Sequence, residues 1–126
     1  MPIDKSINVL VVDDIATMRG IVKGVLKQIG FTNVIEAENG CLALKELKKE
    51  DVGLIVSDWN MPNMTGLDLL KAVRGDEKLK GIPFIMVTAD GHKENVVEAV
   101  KSGVSNYLVK PFTSETFGEK LEKILG

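Results

Sequence analysis

The sequence has 126 residues, of which 44% are hydrophobic and only 5% aromatic, so we expect one domain with an aliphatic core and no attached DNA-binding or catalytic domain. A formal net charge of -2 and an isoelectric point near 5.4 argue against a nucleic-acid or membrane surface as the main partner. A single cysteine excludes an internal disulfide, and the sequence has neither a signal-peptide pattern nor a long apolar run, so a cytoplasmic location is expected.

The first element in chain order is an aliphatic strand, which is followed by an amphipathic helix. The strand is predicted at 7–12, where aliphatic residues form a short run. Apolar residues at helical spacing from Met18 to Ile29 predict the helix, and Gly30 is typical of a C-terminal stop.

The same alternation continues to the end of the chain. A short second strand is predicted at 33–37, and the second helix follows with Asn39 as its N-cap and Cys41 facing the sheet. An amphipathic helix follows each of the remaining strands, which are predicted at 54–57, 84–87 and 107–109. Thr65 lies near the start of the third helix. About five strand–helix pairs predict an α/β fold with a parallel sheet and right-handed crossovers.

Polar residues follow four of the predicted strands at the point where each strand ends. Asp13 and Asp14 close the first strand, Asp58 the third, Thr88 the fourth and Lys110 the fifth. In open α/β sheets, ligands bind in the crevice beyond the carboxyl ends of the strands. Three carboxylates, a hydroxyl and an ammonium are therefore expected to meet at one edge of the sheet.

Such a cluster of carboxylates needs cations or protons. Two negative charges about 4 Å apart repel by roughly 4 kcal/mol at an effective dielectric constant of 20. Hard oxygen ligands without a neighbouring cysteine or histidine suit Mg²⁺ better than Zn²⁺. Lys110 supplies a further positive charge and Thr88 a hydroxyl donor.

A metal ion, an ammonium and a hydroxyl around a free carboxylate form an arrangement for phosphoryl transfer to that carboxylate. Asp58 is the better nucleophile candidate, because Asp13 and Asp14 form the natural pair on the metal side. Each residue alone is explained as part of a solvated turn or as a surface charge. Their joint placement at successive strand ends favours a functional site.

The chain resembles the receiver domains of two-component signalling, and in particular the CheY-type chemotaxis response regulators. The tracts that carry the resemblance are 11–14, 17–19, 57–64, 86–89, 93–95 and 109–112. Such receivers share with flavodoxin a doubly wound (βα)5 sheet of strand order 2-1-3-4-5. That order implies that Asp13 and Asp14 lie beside Asp58.

The resemblance implies the parts of a phosphorylation site. Asp58 would receive a phosphoryl group from a histidine kinase, and Thr88 and Lys110 would contact that group. The implied Mg²⁺ ligands are Asp13, Asp58, the backbone carbonyl of Asn60 and, directly or through water, Asp14. Asn60 and Asp90 would tune hydrolysis, and the Lys110–Pro111 bond would be cis.

The resemblance also implies a switch and an output surface. Tyr107, expected on the fifth strand beside Thr88, matches the family's switching tyrosine. The fourth helix, fifth strand and fifth helix are expected to form the partner surface, with basic residues Lys93, Lys101, Lys120 and Lys123. Such a surface suits an acidic partner such as a flagellar motor switch protein. A phosphatase is a possible further partner. The protein is expected to be a monomer, and to be a signalling switch that promotes its own phosphorylation and dephosphorylation rather than an enzyme.

Other functions remain open at this point. A non-chemotaxis phosphorelay would use the same acceptor. An aspartate-nucleophile phosphatase would need an Asp-x-Asp loop after the first strand, and a flavin carrier would need a Ser/Thr/Gly-rich loop there; Asp13-Asp14-Ile15 fits neither. His92, the single histidine, is predicted to be a loop residue rather than a phosphate carrier, so the phosphodonor must be another protein.

Overall fold

Five parallel strands form one sheet in the order β2-β1-β3-β4-β5, so the predicted α/β fold and its strand order are confirmed. The structure is a computed structural model that describes residues 4–88 and 93–125, without the side chains of 93–95. The strands are β1 (Asn8–Val12), β2 (Asn33–Ala37), β3 (Val52–Asp58), β4 (Phe84–Thr88) and β5 (Asn106–Val109). The helices are α1 (Ala16–Ile29), α2 (Gly40–Lys49), α3 (Gly66–Arg74), α4 (Lys93–Lys101) and α5 (Ser114–Leu125). Among the described residues, no helix is both long and apolar enough to cross a bilayer.

Alternating side chains of the strands supply two hydrophobic layers, one on each face of the sheet. One layer includes Leu10, Ile55 and Phe84 and packs against α2 and α3. The other includes Val9, Val11, Leu54, Val56, Ile85 and Val87 and packs against α1 and α5. Because both faces are covered, the strands read as continuous apolar runs.

Local signals set the ends of several helices as predicted. The Asn39 side chain accepts a hydrogen bond from the Leu42 N–H at 2.8 Å at the start of α2. Thr65 and Asp68 form a capping box at the start of α3. Gly30 ends α1 at φ 122°, a left-handed conformation that glycine adopts without steric cost.

Two sequence predictions about local structure need correction. Cys41 is exposed, because α2 turns Gly40, Ala43 and Leu47 inward instead. The third strand begins at Val52 rather than at 54, because Gly53 weakens the strand signal in the sequence. A Cβ atom at Gly53 would lie 2.9 Å from the Cβ of Ile7, so the missing side chain permits this close packing.

Candidate functional site

The strand register brings the predicted polar residues to one edge of the sheet. Val12 pairs with Ser57, so Asp13 and Asp58 come next to each other at the ends of β1 and β3. Asp58 pairs with Val87, and Thr88 pairs with Val109 one residue before Lys110. The carboxyl ends of four strands therefore contribute to one site.

Three carboxylates form the core of this site. Asp13, Asp14 and Asp58 each offer an oxygen, and these oxygens lie within 4.8 Å of one another. Asp13 and Asp58 are 3% and 7% exposed, whereas Asp14 is open to solvent. Burial, together with the charges of Asp58 and Asp14, raises the pKa of Asp13, although its hydrogen bond from Ile15 and the charge of Lys110 oppose the shift.

Lys110 provides the positive charge of the site. Its Nζ lies 3.1 Å from Asp58 Oδ1, to which it donates a hydrogen bond, and 3.8 Å from Asp13 Oδ2. Its backbone N–H donates to the Thr88 carbonyl at 2.8 Å, and the Lys110–Pro111 bond is cis, as is usual in the family that the chain resembles. One ammonium therefore faces two buried carboxylates, and the cluster keeps an excess of negative charge that attracts a cation.

The donor set fits a magnesium ion. All candidate side-chain ligands in the cluster are carboxylate oxygens, without a histidine or cysteine among them. Mg²⁺ prefers oxygen ligands and commonly uses only one or two carboxylates, completing its shell with water and phosphate. An exposed carboxylate such as Asp14 beside two buried ones leaves a side of the cluster open to solvent.

The segment after Asp58 is held against the sheet by its backbone. The Trp59 N–H donates to the Val87 carbonyl at 3.1 Å, and the Gly66 N–H donates to the Trp59 carbonyl at 2.8 Å. Trp59 is partly buried, and Asn60 is exposed two residues beyond Asp58. The start of this segment is therefore fixed to β4 and to the start of α3, while Asn60 is exposed.

Thr88 and Tyr107 lie on the same face of the sheet but are not paired. Tyr107 lies on the strand next to that of Thr88, as predicted; it is opposite Met86, and the partner of Thr88 is Val109. The two side chains are therefore diagonal neighbours, two residues apart in the register. Thr88 is 3% exposed, and Tyr107 is half-buried.

Comparison with known proteins identifies the family. The model of the response regulator receiver domain matches residues 9–122, which is most of the chain. The chain belongs to the response regulator receiver family. The predicted resemblance is thus confirmed.

Individual relatives of this receiver are chemotaxis proteins. It is 51% identical to chemotaxis protein CheY-3 of Vibrio cholerae over 122 residues, covering 97% of this chain and 94% of the relative. It is also 51% identical to chemotaxis protein CheY of Pseudomonas aeruginosa over 116 residues, covering 92% and 94%. The receiver is therefore similar to CheY proteins over nearly their whole length.

Solved structures agree with the fold. The chemotaxis protein CheY4 of Vibrio cholerae matches with a TM-score of 0.88 at 37% identity, covering 95% of this chain and 99% of that one. A response regulator receiver protein from Pseudomonas putida matches with a TM-score of 0.85 at 30% identity, covering 94% and 97%. The receiver is accordingly a signalling module of two-component systems.

The predicted partner surface of the receiver is described only in part. Lys120 Nζ lies 5.4 Å from the centre of the Tyr107 ring, a distance that allows a cation–π interaction. Lys101 and Lys123 are exposed near the ends of α4 and α5. The side chain of Lys93 lies outside the described part, as do Asp90 and His92 entirely.

Sequence reasoning missed two residues of this receiver that support the site. Arg19 donates a hydrogen bond to the backbone carbonyl of Asp13 at 2.7 Å, and Gly66 approaches the backbone of Asp58 closely. Arg19 was expected only to mark the chemotaxis subtype, and its position in the first turn of a helix after Asp13-Asp14 was the available signal. Gly66 directly follows the cap residue Thr65, but sequence alone does not indicate a close backbone approach.

Proposed function

We propose that this receiver is a phosphorylation-activated switch in which Asp58 accepts a phosphoryl group from a histidine kinase. The observation that carries the proposal is the buried Asp58 carboxylate, held 3.1 Å from Lys110 Nζ and beside Asp13 at the edge of the sheet. A carboxylate with a fixed ammonium and an adjoining cation site is equipped for phosphoryl transfer. Membership of the receiver family supports the same chemistry.

The transfer is a displacement at phosphorus. A carboxylate oxygen of Asp58 forms a bond to phosphorus as the bond between phosphorus and the donor imidazole breaks, and the imidazole nitrogen keeps that electron pair and is then protonated. Lys110, already within 3.1 Å of Asp58, would pair with the phosphoryl oxygens. The buried Thr88 would donate its hydroxyl hydrogen to the same group.

Asp13, Asp58 and the backbone carbonyl of Asn60 would hold Mg²⁺, with Asp14 contributing directly or through water. The ion, when bound, would neutralise charge on the carboxylates and on the incoming phosphoryl group. Asn60 is exposed and can orient an attacking water, so we propose that it tunes hydrolysis together with Asp90.

The phosphoryl group would then shift the receiver between two conformations. A new hydrogen bond from Thr88 to a charged group contributes about 1.5–3 kcal/mol, whereas Lys110 would exchange its present bond to Asp58 for one to the phosphoryl oxygens. Moving a population from 1:99 to 99:1 takes about 5.5 kcal/mol, so these contacts drive a substantial but incomplete shift. Tyr107, on the same sheet face as Thr88, would transmit the change to the surface.

The output is proposed to be binding of a flagellar motor switch protein, because two close relatives are chemotaxis proteins. The basic residues Lys101, Lys120 and Lys123 of α4 and α5 would meet acidic groups of that partner. A phosphatase would use the phosphorylated receiver as substrate, and we propose a monomeric state. A phosphorelay role remains an alternative, which recovery of a phosphotransfer protein in place of a motor protein would favour.

Labelling with radioactive acetyl phosphate tests the acceptor. Wild type should be labelled in MgCl₂ and not in excess chelator, and Asp58→Asn should not be labelled. Asp51→Asn is the matched control, because Asp51 is exposed and directly precedes the opposite end of β3. Label that persists in Asp58→Asn, or in chelator, contradicts the assignment.

A further inference from the structure

Arg19 connects the acidic site to two neighbouring elements. Its Nη1 donates to the backbone carbonyl of Asp13 at 2.7 Å, and its Nε donates to Glu36 Oε1 on β2 at 3.2 Å. The Arg19 side chain is only 16% exposed, so its bond to the Asp13 carbonyl is partly shielded from water, whereas the Glu36 side chain is 40% exposed. One guanidinium on α1 thus ties the loop after β1 to β2.

The contact from Arg19 completes the fixation of Asp13. The Asp13 N–H donates to the Ala37 carbonyl at 3.2 Å, and Asp13 Oδ1 accepts from the Ile15 N–H at 2.9 Å. With the carbonyl held by Arg19, the backbone on both sides of the Asp13 Cα atom and one carboxylate oxygen have defined partners. Oδ2 is left facing Lys110 at 3.8 Å.

We infer that Arg19 is a positioning residue for the metal site, which fixes Asp13 so that its Oδ2 is presented to the ion. The inference rests on the proposed function, because it concerns the Mg²⁺ that the carboxylates would hold. Arg19 touches neither Asp58 nor a reacting atom, so its effect passes through the orientation of Asp13. Groups that orient metal ligands commonly change metal affinity by about 10- to 100-fold.

Removal of Arg19 has two opposite effects on Mg²⁺ binding: loss of its positive charge strengthens binding, and loss of its contact with Asp13 weakens binding. A guanidinium near the acidic site repels a cation, so if charge alone acted, its removal would tighten binding. Glu36 offsets that charge, since it pairs with Arg19 at 3.2 Å and with Lys23 at 3.6 Å. If positioning dominates, as we infer, removal of Arg19 weakens binding despite the lost positive charge.

Lys23 gives a matched control. It lies one turn further along α1 and contacts the same carboxylate of Glu36, and its loss removes the same unit charge. Within the part of the chain that the structure describes, Lys23 pairs with Glu36, whereas the side chains or backbone that contact Asp13 belong to Ile15, Arg19, Ala37 and Lys110. Lys23→Met therefore reports the effect of charge, and Arg19→Met reports charge together with the lost anchor.

The experiment is calorimetric titration of MgCl₂ into wild type, Arg19→Met, Arg19→Lys and Lys23→Met. Arg19→Met should bind Mg²⁺ roughly 10-fold more weakly, and Lys23→Met as tightly as wild type or slightly more so. Arg19→Lys should fall between them, because an ammonium keeps the charge but cannot reproduce the two-pronged geometry of the guanidinium. Arg19→Met binding at wild-type strength or tighter overturns the inference.

A second readout separates positioning from a general loss of structure. In Arg19→Met the MgCl₂ concentration for half-maximal acetyl phosphate labelling should rise roughly 10-fold, whereas the rate at saturating Mg²⁺ should stay within about twofold of wild type. A lower saturating rate with an unchanged half-maximal concentration contradicts positioning. If Arg19→Met does not fold in a urea titration, Arg19→Lys decides by the same two measurements.

These outcomes are distinct from failure of the proposed function. If wild type itself bound no Mg²⁺, the metal part of the proposed function would be wrong, and the inference with it. If wild type binds Mg²⁺ and all the variants match it, only the assignment of Arg19 fails.

Discussion

At the residue scale, the site stores electrostatic repulsion that ligands can relieve. Two nearly buried carboxylates, Asp13 and Asp58, share one ammonium, that of Lys110. The pKa of Asp13 is raised, mainly by burial. The folded receiver without metal therefore binds a proton on Asp13 more tightly than the unfolded chain does.

Asp13→Asn should stabilise the metal-free receiver at neutral pH. Because the pKa of Asp13 is higher in the folded state than in the unfolded chain, ionisation of Asp13 destabilises the fold. This destabilisation is absent at a pH below the usual aspartate pKa. It develops as the pH rises through the pKa that Asp13 has in the folded state. The Asn side-chain oxygen can still accept the Ile15 N–H, so the local turn is kept. Thermal unfolding in chelator should show a higher Tm for the variant at pH 7, with the difference narrowing toward pH 4.

Asp14→Asn is the control for this prediction, because Asp14 belongs to the same cluster but is exposed. It should raise the Tm less than Asp13→Asn. Added Mg²⁺ should stabilise wild type and reduce the difference between its Tm and the higher Tm of Asp13→Asn. A lower Tm for Asp13→Asn than for wild type at pH 7 in chelator would contradict the argument.

The sequence predicts which residues meet at the site but not how they touch. An aliphatic run precedes each of the four main site residues, Asp13, Asp58, Thr88 and Lys110. Because parallel strands end at a common edge of the sheet, the sequence indicates that these residues meet there. The contact of Arg19 with the Asp13 carbonyl was not predictable, because it depends on the rotamer and placement of a long side chain. The register that places Tyr107 opposite Met86 rather than opposite Thr88 was also not predictable, because it depends on how β4 and β5 pair.

At the element scale, one close approach brings the start of α3, which Thr65 caps, against the backbone of Asp58. A Cβ atom at Gly66 would collide with the backbone carbonyl of Asp58 and would lie 2.7 Å from Met86 Sδ. Gly66 also donates its N–H to the Trp59 carbonyl at 2.8 Å. The first turn of α3 can therefore lie directly against the segment that follows Asp58.

Gly66→Ala should destabilise the receiver by about 1–3 kcal/mol, the usual cost of overpacking, even though alanine favours helix formation. Urea unfolding measures the change. Gly24→Ala is the matched control inside α1, where an added Cβ would meet nothing within 4 Å, so it should stabilise by roughly 0.5–1 kcal/mol. Equal effects of the two substitutions would show that the close approach has no energetic weight.

Helix boundaries were more predictable than helix orientation. Asn39 and Thr65 are short polar residues that cap the following turn, and their hydrogen bonds involve only local backbone. The inward face of α2 is set by packing against β-strands distant in sequence. Its apolar pattern did not decide whether Cys41 or its neighbours Gly40 and Ala43 face the sheet.

At the scale of the whole molecule, the proposed signal must travel from the sheet edge to a surface on α4, β5 and α5. The described link is the ring of Tyr107, which contacts the hydrophobic layer on one side and has Lys120 Nζ 5.4 Å from its centre. A side chain in that position can change the exposed surface by a rotation. Lys120 lies on α5 and Tyr107 on β5, so this contact joins β5 to α5.

Lys120→Glu should weaken binding of the phosphorylated receiver to its partner at least about 10-fold, because a complementary charge becomes repulsive and the contact with Tyr107 is lost. Acetyl phosphate labelling of Asp58 should not change. Thr88→Ala should also keep labelling but reduce the difference in partner binding between the phosphorylated and unphosphorylated forms. Fluorescence anisotropy with a flagellar motor switch protein measures both effects.

Lys78→Glu controls for net charge in this experiment, because Lys78 is exposed between α3 and β4. It should bind the partner within about twofold of wild type after allowance for long-range electrostatics. Wild-type affinity in both Lys120→Glu and Thr88→Ala would show that the output surface and the switch lie elsewhere.

The outward orientation of Cys41 gives the protein a ready attachment point for a reporter. It is the single cysteine of the sequence, and it is exposed on α2, whose inward residues are Gly40, Ala43 and Leu47. Thiol-directed chemistry should therefore join one dye to one defined position of the native chain, without an engineered substitution. The unmodified sequence can then serve in single-molecule measurements of how long each activated receiver stays on its target.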